Sequence, residues 1–214
     1  MCYHSISDAA DAWSVPPARF AWQARWLART LGAARVALSF DDGYADFLHV
    51  WPWLREFGFR VMVFAVSAKL GGGADWEGAA RLPLLARDDL SALAQQGVEI
   101  GAHSATHARL SQLPPEAARA QIVQARAQLE AVTGAPVRRF AYPYSEATPA
   151  LVEMVRAAGF EQAYVMRSGY GRARLTTRRI PVAGADGALR FALKALTGYA
   201  SWVDLRMDVR GVPG

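Results

Sequence analysis

The chain has 214 residues, of which 52% are hydrophobic and 20% are charged, and its mean hydropathy is +0.05. This composition favours one substantial core and excludes a disordered chain, and no apolar run reaches the roughly 18 to 20 residues that cross a bilayer. The net charge is +5, but the basic residues are almost all arginines scattered from Arg19 to Arg210, so we expect no nucleic-acid partner.

Short β-branched or aromatic runs alternate with longer segments of helical spacing, which is typical of βαβ units around a mostly parallel sheet. The predicted strands cover residues 35–40, 60–66, 98–101, 137–141, 162–166 and 179–182. The predicted helices cover residues 44–57, 87–96, 115–132, 148–158 and 188–196. Nothing resembling a linker divides the chain, so we expect one α/β domain over residues 1–214. The pattern does not distinguish an open sheet from a closed barrel, but both place their chemistry at the carboxyl ends of the strands.

Two adjacent carboxylates, Asp41 and Asp42, follow the first predicted strand and precede Gly43. Successive side chains leave a strand on opposite sides, so one carboxylate could bind a metal while the other faces the water that the metal binds. A cation would also relieve the repulsion between the two charges. Alternatively, the pair caps a helix and forms a turn, since Asp-Gly is a common turn signal.

Two of the four histidines, His103 and His107, follow the third predicted strand. A separation of four residues would place both imidazoles on one face of a helical turn, as in many zinc sites. Cys2 is the only cysteine, so any metal must be held by nitrogen and oxygen ligands. Two histidines and an aspartate supply three such ligands and leave positions open for water, as a hydrolytic metal site requires.

These segments resemble the motifs of the polysaccharide deacetylases, carbohydrate esterase family 4. Residues 39–43 (Ser-Phe-Asp-Asp-Gly) resemble the first motif, residues 103–107 (His-Ser-Ala-Thr-His) the second and residues 140–144 (Phe-Ala-Tyr-Pro-Tyr) the third. The order and spacing match, and the similarity continues from Tyr3-His4 to residues 179–182 and Phe191. The resemblance implies a single-domain, distorted (β/α) barrel that removes acetyl groups from N-acetylated sugars with a divalent metal.

The resemblance also implies roles for individual residues. Asp42, His103 and His107 would hold the metal, with zinc expected and cobalt, manganese or nickel as alternatives. Asp41 would be the general base, and the backbone N–H of Tyr144 would help to stabilise the oxyanion. Tyr142, in the same motif, is a further candidate for substrate binding.

The sequence departs from the family pattern at the general acid. No histidine follows His107, and Ala141 stands where an arginine of the third motif usually orients the catalytic aspartate. The N-terminal Tyr3-His4 resembles the Tyr-His of a branch that includes exopolysaccharide deacetylases, which implies that His4 is the acid. The alternative is a histidine buried at the start of a strand.

The seven tryptophans raise the question of sugar stacking. Trp76 follows a run of glycines and could stack on a sugar ring, or it could lie at the edge of the core. The others in amphipathic stretches, Trp13 among them, are expected to be structural.

The favoured hypothesis is a metal-dependent hydrolase of N-acetylhexosamine units in an oligo- or polysaccharide or a glycan precursor. The alternatives are an O-acetyl carbohydrate esterase with the same site and an inactive carbohydrate-binding protein. No cationic segment followed by an apolar stretch is present near Met1, so we expect a cytoplasmic protein, or a periplasmic or secreted one whose leader has been removed. The oligomeric state is left open.

Overall fold

The computed structural model describes residues 1–76, 81–166 and 173–198. These residues contain seven parallel strands and six α-helices, which alternate along the chain up to the sixth strand. The strands are β1 (Cys2–Tyr3), β2 (Ala37–Phe40), β3 (Arg60–Ala65), β4 (Glu99–Ala102), β5 (Arg139–Ala141), β6 (Gln162–Val165) and β7 (Thr177–Arg178). The helices are α1 (Pro17–Thr30), α2 (Phe47–Phe57), α3 (Arg87–Gln95), α4 (Pro115–Thr133), α5 (Pro149–Ala157) and α6 (Ala188–Thr197).

The strands lie side by side in chain order, from β1 to β7, and every neighbouring pair is parallel. A parallel bridge between Cys2 and Pro181 joins the two edges of the sheet. Cys2 N donates to Ile180 O and Val182 N donates to Cys2 O, both at 2.8 Å. The sheet therefore curves back on itself through one narrow seam, and the expected distorted (β/α) barrel is confirmed.

The main core lies between the strands and the helices that surround them. In α4, Ala118, Ile122, Ala125 and Leu129 recur at intervals of three or four residues and are buried against the sheet. A smaller cluster of Phe64, Ala141 and Tyr164 is separate from this core. Within the described residues, no helix is both long enough and apolar enough to cross a membrane.

Helix α1 was not among the predicted elements. It buries Phe20, Ala24 and Leu27 at helical spacing, but Trp22 and Trp26 also contact Phe191 of α6. Apolar residues on more than one side of the helix obscure the single stripe that identifies an amphipathic helix. Strand β1 is only two residues long and shows no pattern by itself.

Two predicted boundaries also differ from the structure. Regular pairing in the last strand covers Thr177–Arg178 instead of 179–182, because Pro181 has no N–H to continue a ladder and makes a single bridge. Helix α2 begins at Phe47 instead of Tyr44, because Tyr44 forms an antiparallel bridge with Leu84. The remaining predicted strands and helices are present with small shifts at their ends.

Candidate active site

Asp42, His103 and His107 meet at the carboxyl ends of β2 and β4. One possible ligand atom from each residue lies within 4.8 Å of the others. Nε2 of His103 and Nε2 of His107 are each 3.3 Å from Oδ1 of Asp42. All three residues are buried. The structure therefore brings together the three ligands that the sequence predicts.

The loop that carries the two histidines is not the helical turn expected from their spacing. Residues 103–107 follow β4 as a bend, in which Ser104 and His107 have left-handed φ values of 60° and 61°. Ser104 Oγ accepts a hydrogen bond from His107 N at 3.0 Å. Asp42 is also left-handed, with φ 71°. Such conformations cost free energy outside glycine and are concentrated at functional sites.

His103 is oriented by a hydrogen bond behind its ring. Its Nδ1 lies 2.8 Å from Ala141 O, which leaves Nε2 directed at Asp42. A backbone carbonyl in this position fixes the tautomer of a metal-binding histidine. The ring of His107 packs against Trp76, with centroids 4.4 Å apart, and against Tyr144 at 4.8 Å.

The three side chains fit a divalent cation. Oδ1 of Asp42 is buried and accepts no hydrogen bond, although it lies near both imidazoles. Burial alone would raise the pKa of Asp42, but the nearby His107 and His103 hold it well below its usual value. One carboxylate oxygen and two imidazole nitrogens are suitable ligands for zinc and related ions.

Asp41 is held by an arginine that the sequence analysis missed. Arg179 donates from Nη1 to Oδ1 at 2.6 Å and from Nη2 to Oδ2 at 2.7 Å, and both side chains are buried. Burial acts to raise the pKa of Asp41, yet the positive charge of Arg179 lowers it below its usual value. The sequence signal for this pair is weak: an arginine that directly precedes the apolar residues 180–182.

His4 lies beside Asp41 at the same end of the barrel. β1 pairs with β2 in parallel, and Asp41 N donates to Tyr3 O at 2.9 Å, so the residues that follow these strands are neighbours. The imidazole is buried, and its Nδ1 has no hydrogen-bond partner. Burial lowers the pKa of His4, although Asp42 and Asp41 act in the opposite direction.

Trp13 packs on His4, with ring centroids 4.8 Å apart. Its loop is fixed by Asp11, whose Oδ1 accepts hydrogen bonds from Trp13 N at 2.7 Å and Ser14 N at 2.8 Å. Trp13 is only partly buried. The expectation that it is purely structural is therefore incomplete, because it contacts the histidine proposed as the acid.

The three residues predicted to bind substrate differ in placement. Trp76 and Tyr144 both contact His107, and the guanidinium carbon of Arg109 lies 3.8 Å from the centroid of the Tyr144 ring. Tyr142 lies in the main core instead. Its ring is buried there, and its hydroxyl donates to Leu175 O at 3.1 Å.

Known proteins provide an independent comparison. YxkH of Bacillus subtilis is 20% identical over 189 residues, which are 79% of this chain and 64% of that protein. This chain therefore spans less than two thirds of the length of that relative.

Solved structures show the same fold. IcaB from Ammonifex degensii is 23% identical with a TM-score of 0.71, over 85% of this chain and 89% of that one. The Streptococcus pyogenes deacetylase PplD is 17% identical with a TM-score of 0.72, over 90% and 95% of the two chains. The family model for polysaccharide deacetylases matches residues 28–163, which include both aspartates and both histidines of the site. The chain therefore belongs to the polysaccharide deacetylase family.

Proposed function

We propose that this protein is a metal-dependent hydrolase that removes acetyl groups from N-acetylhexosamine units of an oligo- or polysaccharide or a glycan precursor. The observation that carries the proposal is the buried cluster of Asp42, His103 and His107 directly beside the arginine-bound Asp41. Family membership supports carbohydrate as the substrate class. The Tyr3-His4 segment supports assignment to the branch that includes exopolysaccharide deacetylases.

The metal ligands and the base have separate tasks. Asp42, His103 and His107 would hold one divalent ion, with zinc as the ion proposed first and cobalt, manganese or nickel as alternatives. When bound, such an ion would supply Lewis-acid activation of water and of the acetyl carbonyl. Asp41 accepts the proton of the attacking water. Arg179 holds Asp41 ionised and in one orientation for this transfer.

The remaining residues act on the carbonyl and on the leaving group. The backbone N–H of Tyr144 donates to the developing oxyanion. His4 donates a proton to the departing sugar amine, because an amide anion is too poor a leaving group. The ring of Trp76 stacks on that of His107. In this proposal the indole of Trp76 packs against the sugar ring. Tyr142 has no role in substrate contact in this proposal.

A second candidate activity is hydrolysis of acetyl esters on a carbohydrate. Burial lowers the pKa of His4, so a protonated imidazole is less available for an acid step. An alkoxide leaves more readily than an amide anion, so an ester substrate depends less on that acid. The same metal ligands and the same base would serve both reactions.

The test combines elemental analysis of the purified protein with acetate release from chitin oligomers, poly-N-acetylglucosamine and acetylated xylan. We expect one divalent ion per chain and acetate release that a chelator abolishes. Asp41→Asn should keep the ion and lose turnover, because Asp41 would act as the base and is not one of the three residues that would hold the ion. His4→Ala should also keep the ion but slow release from N-acetylated substrates more than from acetylated xylan.

The outcomes distinguish the three candidate functions, which are the N-deacetylase, the acetyl esterase and the inactive carbohydrate-binding protein. Release from acetylated xylan alone would favour the esterase. Failure to hold a metal, together with no release from any of the substrates, would reject the hydrolase and leave a carbohydrate-binding protein.

A further inference from the structure

A cavity opens at the amino ends of the strands. Its volume is about 580 Å³, which lies within the range of small-molecule sites. The first residues of five strands help to line it, namely Ala37 of β2, Arg60 of β3, Arg139 of β5, Gln162 of β6 and Thr177 of β7. The candidate metal ligands follow β2 and β4, and all the strands are parallel. The cavity therefore lies at the opposite end of the barrel from the candidate active site.

The charged side chains that line this cavity are all arginines. They are Arg35, Arg60, Arg139, Arg178 and Arg179. Two of them have acidic partners, since Arg139 pairs with Glu99 and Arg179 pairs with Asp41. The other three make no ion pair with any residue in the described ranges 1–76, 81–166 and 173–198. Three positive charges of the lining are therefore left without an acidic partner in these ranges.

Two of the five arginines also have an unused donor. Nε of Arg178 and Nε of Arg179 are buried and donate no hydrogen bond within the part of the chain that the structure describes. The side chain of Arg179 is only 7% exposed, and its two Nη atoms donate to Asp41 and Ser39. A buried N–H without an acceptor costs free energy. Because both residues line the cavity, an anion bound there would supply an acceptor.

Apolar side chains form much of the remaining lining. They include Leu27, Leu31, Val36, Met62 and Ile180. An inorganic anion would leave these groups facing water, whereas an organic group would cover them. A phosphate monoester carries about two negative charges at pH 7 and offers three terminal oxygens, so it suits several arginines better than a single carboxylate does.

We propose that this cavity binds a small organic phosphate monoester, with its phosphate on the arginines and its organic group against the apolar side chains. The inference does not depend on the proposed function, because Arg35, Arg60 and Arg178 are outside the candidate active site. Arg35 and Arg60 are exposed, so both are accessible to a phosphate that enters from solvent. Arg178 is half-buried.

The test is isothermal titration calorimetry of the full chain at low salt. The ligands are glucose 6-phosphate and adenosine monophosphate, with glucose, adenosine and inorganic phosphate for comparison. We expect at least one of the two esters to bind one site with a Kd of about 1 mM or lower. Inorganic phosphate should bind at least about 10-fold more weakly because it lacks the organic group, and the uncharged compounds should not bind.

Three results of this titration would overturn the proposal. The first is that neither ester binds. The second is that an ester binds no more tightly than its uncharged counterpart, which would mean that the phosphate is not recognised. The third is equal affinity for the esters and for inorganic phosphate, which would mean that the apolar side chains contribute nothing.

Arginine variants locate the bound phosphate. Arg60→Gln and Arg178→Gln should each raise the Kd of the ester at least about 10-fold, because each removes a charged donor. If Arg178→Gln does not fold, Arg35→Gln takes its place, because Arg35 is exposed.

Arg87 provides a matched control. It begins α3, is exposed, makes no ion pair within the described residues and does not line the cavity. Arg87→Gln should keep the Kd within about twofold of the wild-type value. Equal weakening in Arg87→Gln and in the cavity variants would overturn the proposal, because the effect would then come from net charge alone.

A divalent ion at the candidate active site would also attract phosphate, so the titration includes Asp42→Ala. This variant lacks a proposed metal ligand but keeps the cavity, and it should bind the ester as tightly as the wild-type protein. A crystal structure of the complex should show the phosphate beside Arg60 and Arg178. Loss of binding in Asp42→Ala, or an ester found only beside His103 and His107, would overturn the proposal.

Discussion

His4 shows how the surroundings of one residue determine its protonation. The imidazole is buried against Trp13, and this burial lowers its pKa in the folded chain from the ordinary value of 6.5. As pH falls below 6.5, the unfolded chain gains a proton that the folded chain does not take up. Stability contributed by neutral His4 is therefore present above pH 6.5 and is lost as pH falls towards the folded pKa.

We expect His4→Gln to reduce the loss of stability of the metal-free protein between pH 6.5 and 5. A single group of this kind contributes up to about 1.4 kcal/mol per pH unit to the slope. The measurement is urea unfolding at several pH values with a chelator present. His49 is exposed on α2, so His49→Gln is the control for replacing a histidine outside the buried site. Identical slopes in His4→Gln and the wild-type protein would contradict the burial of His4.

At the scale of elements, helix α6 is attached to the barrel by a buried ion pair. Lys194 Nζ donates to Asp186 Oδ2 at 2.7 Å and to Pro181 O at 3.0 Å. Both side chains are fully buried. Asp186 Oδ2 also accepts a hydrogen bond from Ala183 N at 2.9 Å, so the carboxylate links the helix to the loop that precedes it.

Asp186→Ala should lower the free energy of unfolding by about 3–5 kcal/mol, because it removes the buried carboxylate that pairs with the ammonium of Lys194 and also with Arg190. The double variant Asp186→Ala/Lys194→Met removes both charges and should recover much of this loss. Chemical denaturation of the two variants and the wild-type protein measures the difference. Equal stability of the single and double variants would show that the buried charge is not the cause.

At the scale of the whole molecule, the candidate metal ligands connect two parts of the barrel. Asp42 follows β2, whereas His103 and His107 follow β4, and β3 lies between these strands. An ion bound to all three residues would bind the folded chain much better than the unfolded one. Metal binding and global stability should therefore be linked.

We expect added zinc to raise the melting temperature of the chelator-treated protein. At a free concentration of 100 times Kd the gain corresponds to about 2.7 kcal/mol. The measurement is differential scanning calorimetry across a zinc titration. Asp42→Ala should show a much smaller shift because it lacks the central carboxylate. An equal shift in the variant would place zinc binding elsewhere.

The sequence by itself determined the features that depend on nearby residues. Alternating runs predicted a parallel α/β fold, because each strand and helix carries its own periodicity. Asp41 and Asp42 are adjacent and His103 and His107 are four residues apart, so each half of the site is visible as a short pattern after a strand. The prediction that the two histidines lie on a helical turn was wrong, because a separation of four residues fits both a helix and a loop with left-handed residues.

The tertiary structure alone decided which of these distant segments touch. Arg179 and Asp41 are 138 positions apart, and their ion pair exists because β1, β2 and β7 come together where the barrel closes. The contact of Trp13 with His4 depends on the conformation of the loop between β1 and α1. The burial of Tyr142 depends on the packing around β5. Periodicity records whether a residue faces the core, but strand order and register determine its neighbours.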